Sequence, residues 1–448
     1  MSMEMVIEHR KLGFIKLEGF VAHKDISERK MRYCFICVGQ YGGRQGDELA
    51  RLGYSVFAIN TSDSDLGDLK QIPEERIIKL DGFEGAAKDI KRGQDAIRRN
   101  KDKIIDITNH PDVLEADHVF VIGGMGGGTG NVATPMICAA LAKVRKPFNG
   151  KPSFGAIISV PASWEKRGIK KNARWGLAHL QEMVRKEIIG AIIVVDNDKL
   201  YNLTQSVFSE THTSLNWMDY GNSELTSLLA EVSILTSIPS SKTFDLDEWR
   251  DNLSTPGYLS MGKISIFSSE DIDNKKIFKE AFSNSPTASD YDYELDSVNG
   301  FMVVVHPRNE IINDSGFKQL EEQFGDFVEN AEKPHSGLIE NNNWGMITSR
   351  TRKQSEDKKK AIIYTGAVST NLPERISRML VEITEEEEKL EKKKAERGDK
   401  NMLDLSSFKK VEEKTVRKDT SLDSELDIFS DKKESKNIVQ DFDEDLII

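Results

Sequence analysis

The sequence predicts an α/β fold built on a mostly parallel sheet, and three observations carry that reading. From about Met31 to Ser209, short runs rich in Val, Ile and Phe (RYCFICVG, YSVFAIN, HVFVIGG, FGAIISV, AIIVVDN) alternate with amphipathic stretches such as GRQGDELARLG and PMICAALAKV. The runs have the near-continuous hydrophobicity of strands buried on both faces, and the stretches between them repeat apolar residues at helical spacing. That alternation is the pattern of helices packed on both sides of a parallel sheet. A ligand then belongs at the carboxyl ends of the strands. Third, the run HVFVIGG flows into the glycine-rich segment GMGGGTG and then into a helical pattern.

Taken in order, residues 1–30 form an N-terminal extension and 31–214 the ligand-binding domain. Apolar spacing over 215–240 gives one long linking helix, and 241–256 form a loop with acidic residues and a following helix. Strand-like runs return over 257–370 (KISIF, FMVVVHP, WGMITS, AIIYTG) and suggest a second, α+β domain. Residues 371–398, within PERISRMLVEITEEEEKLEKKKAER, read as a long charged helix. The tail 399–448 is polar and poor in aromatics, too little apolar surface to offset the entropy of ordering, and is expected to be disordered.

At 448 residues the chain is long enough for two domains with sizeable cores plus a tail. A net charge of −12 gives no global basic signature of a protein that reads nucleic acid directly. Of three cysteines, Cys34 and Cys37 lie in one apolar run without a second pair to complete a zinc site. In a strand their odd spacing points them to opposite faces, so they read as structural. A reducing cytoplasm fits this usage. The N-terminus lacks an apolar signal core, and no run approaches the roughly 18 residues of a membrane helix. A soluble, intracellular protein without a membrane partner is expected.

Glycines after a buried strand let main-chain N–H groups approach a ligand closely, and a helix starting there adds its dipole. Together these make an anion site, and phosphate is the natural guest. The P-loop pattern is excluded because Thr129, Gly130 and Asn131 stand where its lysine and hydroxyl would be. The dinucleotide fingerprint belongs on the first strand of its unit, whereas this cluster follows the third convincing one.

Gly124, Met125, Gly126, Gly127, Gly128, Thr129 and Gly130 resemble the signature loop of the tubulin/FtsZ superfamily of GTPases. Other segments resemble further loops of that family in the same order. Gly39, Gln40, Tyr41, Gly42 and Gly43 are similar to its first phosphate loop, in the tubulin form G-Q-x-G. Asn60, Thr61, Ser62 and Asp63 resemble the FtsZ loop that helps place phosphate and magnesium. Gly85, Ala86 and Ala87 stand where the family covers the terminal phosphate. Pro161 with Glu165 resembles the ribose-facing loop, although the FtsZ arginine position falls on Ile169, with Arg167 and Lys170 both left as substitutes.

Asn197 matches the asparagine that hydrogen-bonds guanine, an amide being able both to donate to and to accept from the base edge. Asn222 stands at the position of a second asparagine on the linking helix. Nearby Tyr220 suits either base stacking or the core. The resemblance implies a tubulin/FtsZ-like architecture: a Rossmann-like GTP-binding domain, a central helix, an α+β C-terminal domain, a long C-terminal helix and a flexible tail. GTP or GDP with Mg2+ are the implied ligands; no metal ligands follow from the residues themselves.

FDLDEWRDNL, 244–253, is similar to the catalytic loop of α-tubulin, with Pro239 before it and YLSMG after it in family register. On that alignment Asp245 and Glu248 are the acids that reach into the nucleotide pocket of the next subunit and orient or deprotonate the attacking water. The plainer alternative is that Asp245, Asp247 and Glu248 simply open a helix, where acids are favoured.

The extension, the G-Q-x-G loop, the acid loop and the long charged helix together look like the TubZ group of plasmid- and phage-encoded tubulins. That resemblance implies a head-to-tail filament whose GTPase activity follows polymerisation. It further implies DNA segregation through a DNA-bound adaptor, TubR, gripping the tail, with no direct DNA contact. A mixed-charge tail suits a basic partner, and suits equally a merely solubilising extension. A division or phage-centring GTPase, and a GTP-binding scaffold with little catalysis, are the alternative readings.

Overall fold

The computed structural model describes residues 31–82, 84–86, 88–211, 216–238, 240–306, 312–340 and 361–400. The N-terminal extension, Ala87, Pro239, the run WGMITS and the tail from residue 401 lie outside them.

Among the described residues, ten strands form one hydrogen-bonded sheet: β1 (Tyr33–Val38), β2 (Ser55–Asn60), β3 (Ile77–Lys79), β4 (His118–Gly124), β5 (Phe154–Val160), β6 (Ala191–Asp196), β7 (Gly257–Ile266), β8 (Ser297–His306), β9 (His335–Glu340) and β10 (Ala361–Ser369). Their order is β3-β2-β1-β4-β5-β6-β7-β10-β8-β9. Pairing is parallel from β3 through β7 and between β8 and β9, while β10 runs antiparallel to both β7 and β8. The link between β6 and β7 is short, Ala191 with Gly257 and Ile192 with Tyr258, yet it carries the sheet unbroken into the C-terminal region.

The helices are α1 (Gly39–Arg51), α2 (Asp63–Gly67), α3 (Ile90–Arg99), α4 (Lys101–Thr108), α5 (Pro111–Glu115), α6 (Thr129–Val144), α7 (Arg167–Arg185), α8 (Asn197–Thr211), α9 (Trp217–Leu235), α10 (Leu246–Ser254), α11 (Ile277–Ser283), α12 (Tyr293–Asp296), α13 (Asp314–Phe327) and α14 (Glu374–Lys400).

The five N-terminal runs singled out by hydrophobicity are β1, β2, β4, β5 and β6, and every residue of β1, β5 and β6 is buried. Alternate residues feed two cores. Cys34, Ile36 and Val38 join one, with α6 and α7; Tyr33, Phe35 and Cys37 join the other, with α1 and α9. The two cysteines do face opposite ways, and burial pushes the Cys34 thiol up to about 12 and the Cys37 thiol up as well. Periodicity missed β3 and β9. The first is three half-buried residues at the sheet edge, too short to show a pattern.

The C-terminal helix is less purely a charged arm than its composition suggests. Ile376, Met379 and Ile383 of α14 recur on one face and are buried in the core shared with α6 and α7. Beyond them, Glu386 and Glu387 pair with Arg167, Lys171 and Arg174 of α7.

Candidate functional site

Parallel pairing aligns the ends of five strands. Val38 is registered with Ile59 of β2 and Gly123 of β4, Gly124 with Ser159 of β5, and Val160 with Asp196 of β6. Asn60, Gly39, Gly124, Pro161 and Asn197 therefore stand in a row along the carboxyl edge of the sheet. Chain order reverses between β1 and β4, the crevice where open α/β sheets bind ligands.

That crevice is lined by backbone. Gly39 has φ +70°, a left-handed conformation that permits α1 to begin directly from β1. A Cβ on Gly39 would lie 3.2 Å from the N of Gly130, and a Cβ on Gly130 would lie 2.9 Å from the N of Gly124 and 3.1 Å from the carbonyl of Val38. Side chains at either position would fill the cradle. Since α6 starts at Thr129, its first N–H groups have no partners within the helix and add the positive end of the dipole. Thr129 Oγ1 also lies 2.9 Å from Thr61 Oγ1, joining this loop to the end of β2. Met125 is buried, its N–H donating to the Ser159 carbonyl. Asn131 is buried, and its side-chain Nδ2 donates to the Asn172 carbonyl of α7.

On the β2 side Asn60 is buried: its Oδ1 accepts from Thr61 N and its Nδ2 donates to Asp65. Gln40 also donates to Asp65, at 3.4 Å. Asp65 thus ties the first two loops together, a role the sequence did not suggest. Its one signal was local, Ser62 accepting from Asp65 N as the N-cap of α2. Asp63 is exposed and lies 2.8 Å from Lys79, whose hydrogen bond holds its carboxyl below the usual range. Gly85 donates to the Thr61 carbonyl, and Ala86 packs where a Cβ on Gly128 would come within 2.8 Å of it. Among the described residues no three His, Cys, Asp or Glu side chains cluster as a metal site.

On the other side Glu165 turns back to accept from Ala162 N, closing the Pro161 loop. Ile169 packs over Gly126, whose added Cβ would lie 2.5 Å from its Cγ2. Of the two basic neighbours, Arg167 is drawn to Glu386 of α14 and Lys170 donates to the Ser163 carbonyl at 3.3 Å. Asn197 opens α8, half-buried. Asn222 is buried on α9, where its carbonyl accepts from Gln45 of α1. Tyr220 is partly buried against the α1/α9 core. Arg375 of α14, absent from the sequence reading, reaches this region and bonds the Pro161 carbonyl and Asp198.

The acids lie elsewhere. Asp245 caps α10 in a reciprocal box with Glu248: Asp245 Oδ1 accepts from Glu248 N and Glu248 Oε2 from Asp245 N, both at 2.9 Å. The box accounts for an Asp and a Glu three residues apart. It does not account for where α10 sits. Trp249 Nε1 donates to the hydroxyl of Tyr33, the first residue of β1, and Lys151, just before β5, pairs with Asp251. Both contacts are at the amino edge of the sheet, opposite the glycine cradle.

Residues 32–205 match the Tubulin/FtsZ family, GTPase domain. A tubulin-like protein TubZ of Bacillus cereus is 25% identical over 84% of this chain and 86% of its own length. A tubulin-like protein CetZ of Pyrococcus horikoshii is 26% identical over 63% of this chain and 74% of its own. The domain over residues 32–205 belongs to the tubulin/FtsZ family. Solved structures extend the likeness of fold across both halves of the chain. A GTPγS-form protofilament of Bacillus thuringiensis serovar israelensis TubZ matches with a TM-score of 0.66, at 22% identity over 84% of this chain and 97% of that one. CetZ from Methanosaeta thermophila matches with a TM-score of 0.58, at 18% identity over 84% and 96%. None of the helices among the described residues is long and apolar enough to cross a membrane.

Proposed function

We propose that the chain is a self-assembling GTPase in which the nucleotide held by one copy is hydrolysed by acids of the next. One relationship supports this most directly: the glycine cradle and the acid-capped helix α10 lie at opposite ends of β1. Six residues at about 3.3 Å each separate them by roughly 20 Å. Asp245 and Glu248 are therefore too far from the phosphates of their own copy and are carried on the opposite pole, where a translated copy would present them to its neighbour. Such a contact is heterologous and propagates without closing. The TubZ relative above was solved as a protofilament.

In this scheme backbone N–H groups of Gly39, Gln40 and Gly126–Gly130 hold the phosphates, while the α6 terminus offsets their charge. Pro161 and Glu165 face the ribose, and Asn197 and Asn222 read guanine. Asp245 and Glu248, arriving from the next copy, align the attacking water and take its proton, the function a carboxylate within hydrogen-bond reach can perform. Magnesium bound with the nucleotide would neutralise charge on the β- and γ-phosphate oxygens, with Asp63 and Asp65 the carboxylates placed to hold it directly or through water.

Turnover per subunit measured against protein concentration tests this reading. A steep rise above a threshold that coincides with light scattering is expected. A rate independent of concentration, in a protein that stays monomeric, overturns it.

We further infer that the filament serves DNA segregation, on its kinship with TubZ; one solved relative is a type III plasmid segregation TubZ. A DNA-bound adaptor would engage the tail. Replicon loss on deleting residues 401–448, with filament assembly intact, is the expected outcome.

A further inference from the structure

The C-terminal helix reaches the loops at the carboxyl edge of the sheet through Arg375. At its start Asp290 accepts from Glu374 N through its carbonyl and from Arg375 N through its carboxylate, which fixes the first turn of α14. From there Arg375 donates from Nη2 to the Pro161 carbonyl at 2.6 Å and from Nε to Asp198 Oδ2 at 2.6 Å, and its Nε stands 3.3 Å from Asp196 Oδ1. Asp196 and Asp198 flank Asn197. Asp198 in turn accepts from Ser163 N and Ser163 Oγ, inside the Pro161–Glu165 loop. One guanidinium, little exposed, thus ties the loop after β5 to the segment after β6, using the planar fork that lysine lacks.

The two carboxylates need it there. Asp196 is almost wholly buried and its carboxyl is pushed up by that burial, with Arg375 opposing the push. Without the guanidinium, Asp196 and Asp198 lose the ion-pair partner they share, and Lys199 is left as the opposing charge on Asp196.

We propose that Arg375 is a positioning residue for nucleotide recognition: by clamping Pro161, Asp196 and Asp198 it sets the separation of the ribose and base loops, so selection of guanine depends on the docked C-terminal helix. The proposal rests on the base-site reading given to Asn197 above.

Competition of a fluorescent GDP by GTP and by ATP gives the Kd ratio ATP/GTP, a quantity that a general loss of stability does not move. In the full chain, Arg375→Ala should raise the GTP Kd at least tenfold and lower that ratio at least tenfold. Arg375→Lys, which keeps the charge but not the fork, should fall between this variant and the parent. If Arg375→Ala does not fold, Arg375→Lys is judged on the same ratio, and a parental value overturns the proposal. Asn197→Ala separates the two levels of the argument. A parental ratio in Asn197→Ala overturns the base-site reading and the proposal with it. A reduced ratio in Asn197→Ala beside a parental ratio in the Arg375 variants overturns the role of Arg375 alone.

Discussion

His335 of β9 stands between two carboxylates of α10, its Nδ1 3.4 Å from Glu248 Oε1 and its Nε2 3.6 Å from Asp251 Oδ2. Burial alone would lower the imidazole, but the two acids outweigh it and raise its pKa from 6.5 to about 9. It is therefore charged at neutral pH and holds α10 to the C-terminal strands. A raised folded-state pKa contributes stability that is complete below about 6.5 and vanishes as pH rises through about 9. The difference in unfolding free energy between parent and His335→Gln should be about 1–2 kcal/mol at pH 6 and near zero at pH 9.5, in denaturant titrations. A difference that holds constant or grows with pH contradicts the bridge.

Asp245 has two possible jobs, and one pair of substitutions separates them. Asn caps a helix nearly as well as Asp but carries no carboxylate, whereas Ala does neither. Asp245→Asn should keep stability within about 0.5 kcal/mol and Asp245→Ala should lose about 1 kcal/mol. Both should bind GTP and assemble like the parent, with phosphate release reduced at least tenfold. Parental turnover in Asp245→Asn would reduce this residue to a cap.

The glycine cradle makes two different predictions at two glycines. A Cβ on Gly130 meets only backbone, at 2.9 to 3.1 Å, which no rotamer change relieves. Gly130→Ala should cost about 2 kcal/mol or more and lower Tm. A Cβ on Gly127 meets nothing closer than 3.9 Å, so Gly127→Ala should leave stability within about 0.5 kcal/mol. It should nonetheless weaken GTP binding at least tenfold, because the methyl group occupies the approach to the loop amides. Equal affinity in parent and Gly127→Ala, by calorimetry, would move the phosphates away from this loop.

What the sequence disclosed follows from how local each signal is. β1, β4, β5 and β6 announce themselves because both faces are covered and nearly every residue is apolar, His118, Ser159 and Asp196 being the exceptions near the strand ends. The GMGGGTG loop is legible because close backbone approach demands several glycines together. Asp65 was overlooked beside Asp63 because which of two nearby acids turns inward is decided by Gln40 and Asn60, on other elements. Arg375 and His335 were invisible for a stronger form of the same reason. Each is an unremarkable residue in its own segment, and its partners are fixed only when distant loops are brought together by the sheet.

The carboxyl edge of the sheet also carries a feature suited to contact with another copy. Trp164, in the loop after β5, is 55% exposed and packs edge to face on Tyr201 of α8, which is 36% exposed, with ring centroids 4.8 Å apart. Large aromatics left in water beside the nucleotide loops are what interface hot spots are made of. If the acid pole of one copy closes on the nucleotide edge of the next, these rings are covered in the contact. Replacing both by Ala should raise the critical concentration for GTP-driven light scattering about tenfold, the equivalent of about 1.4 kcal/mol per contact. Unfolding free energy should change by less than about 0.5 kcal/mol, since neither ring is buried in the isolated chain. GTP affinity measured below the assembly threshold should stay within about twofold of the parent, a margin well inside the factor of ten that about 1.4 kcal/mol represents. An unchanged threshold would mean that the copies meet without these two rings, and that the trans arrangement of Asp245 needs a different contact geometry.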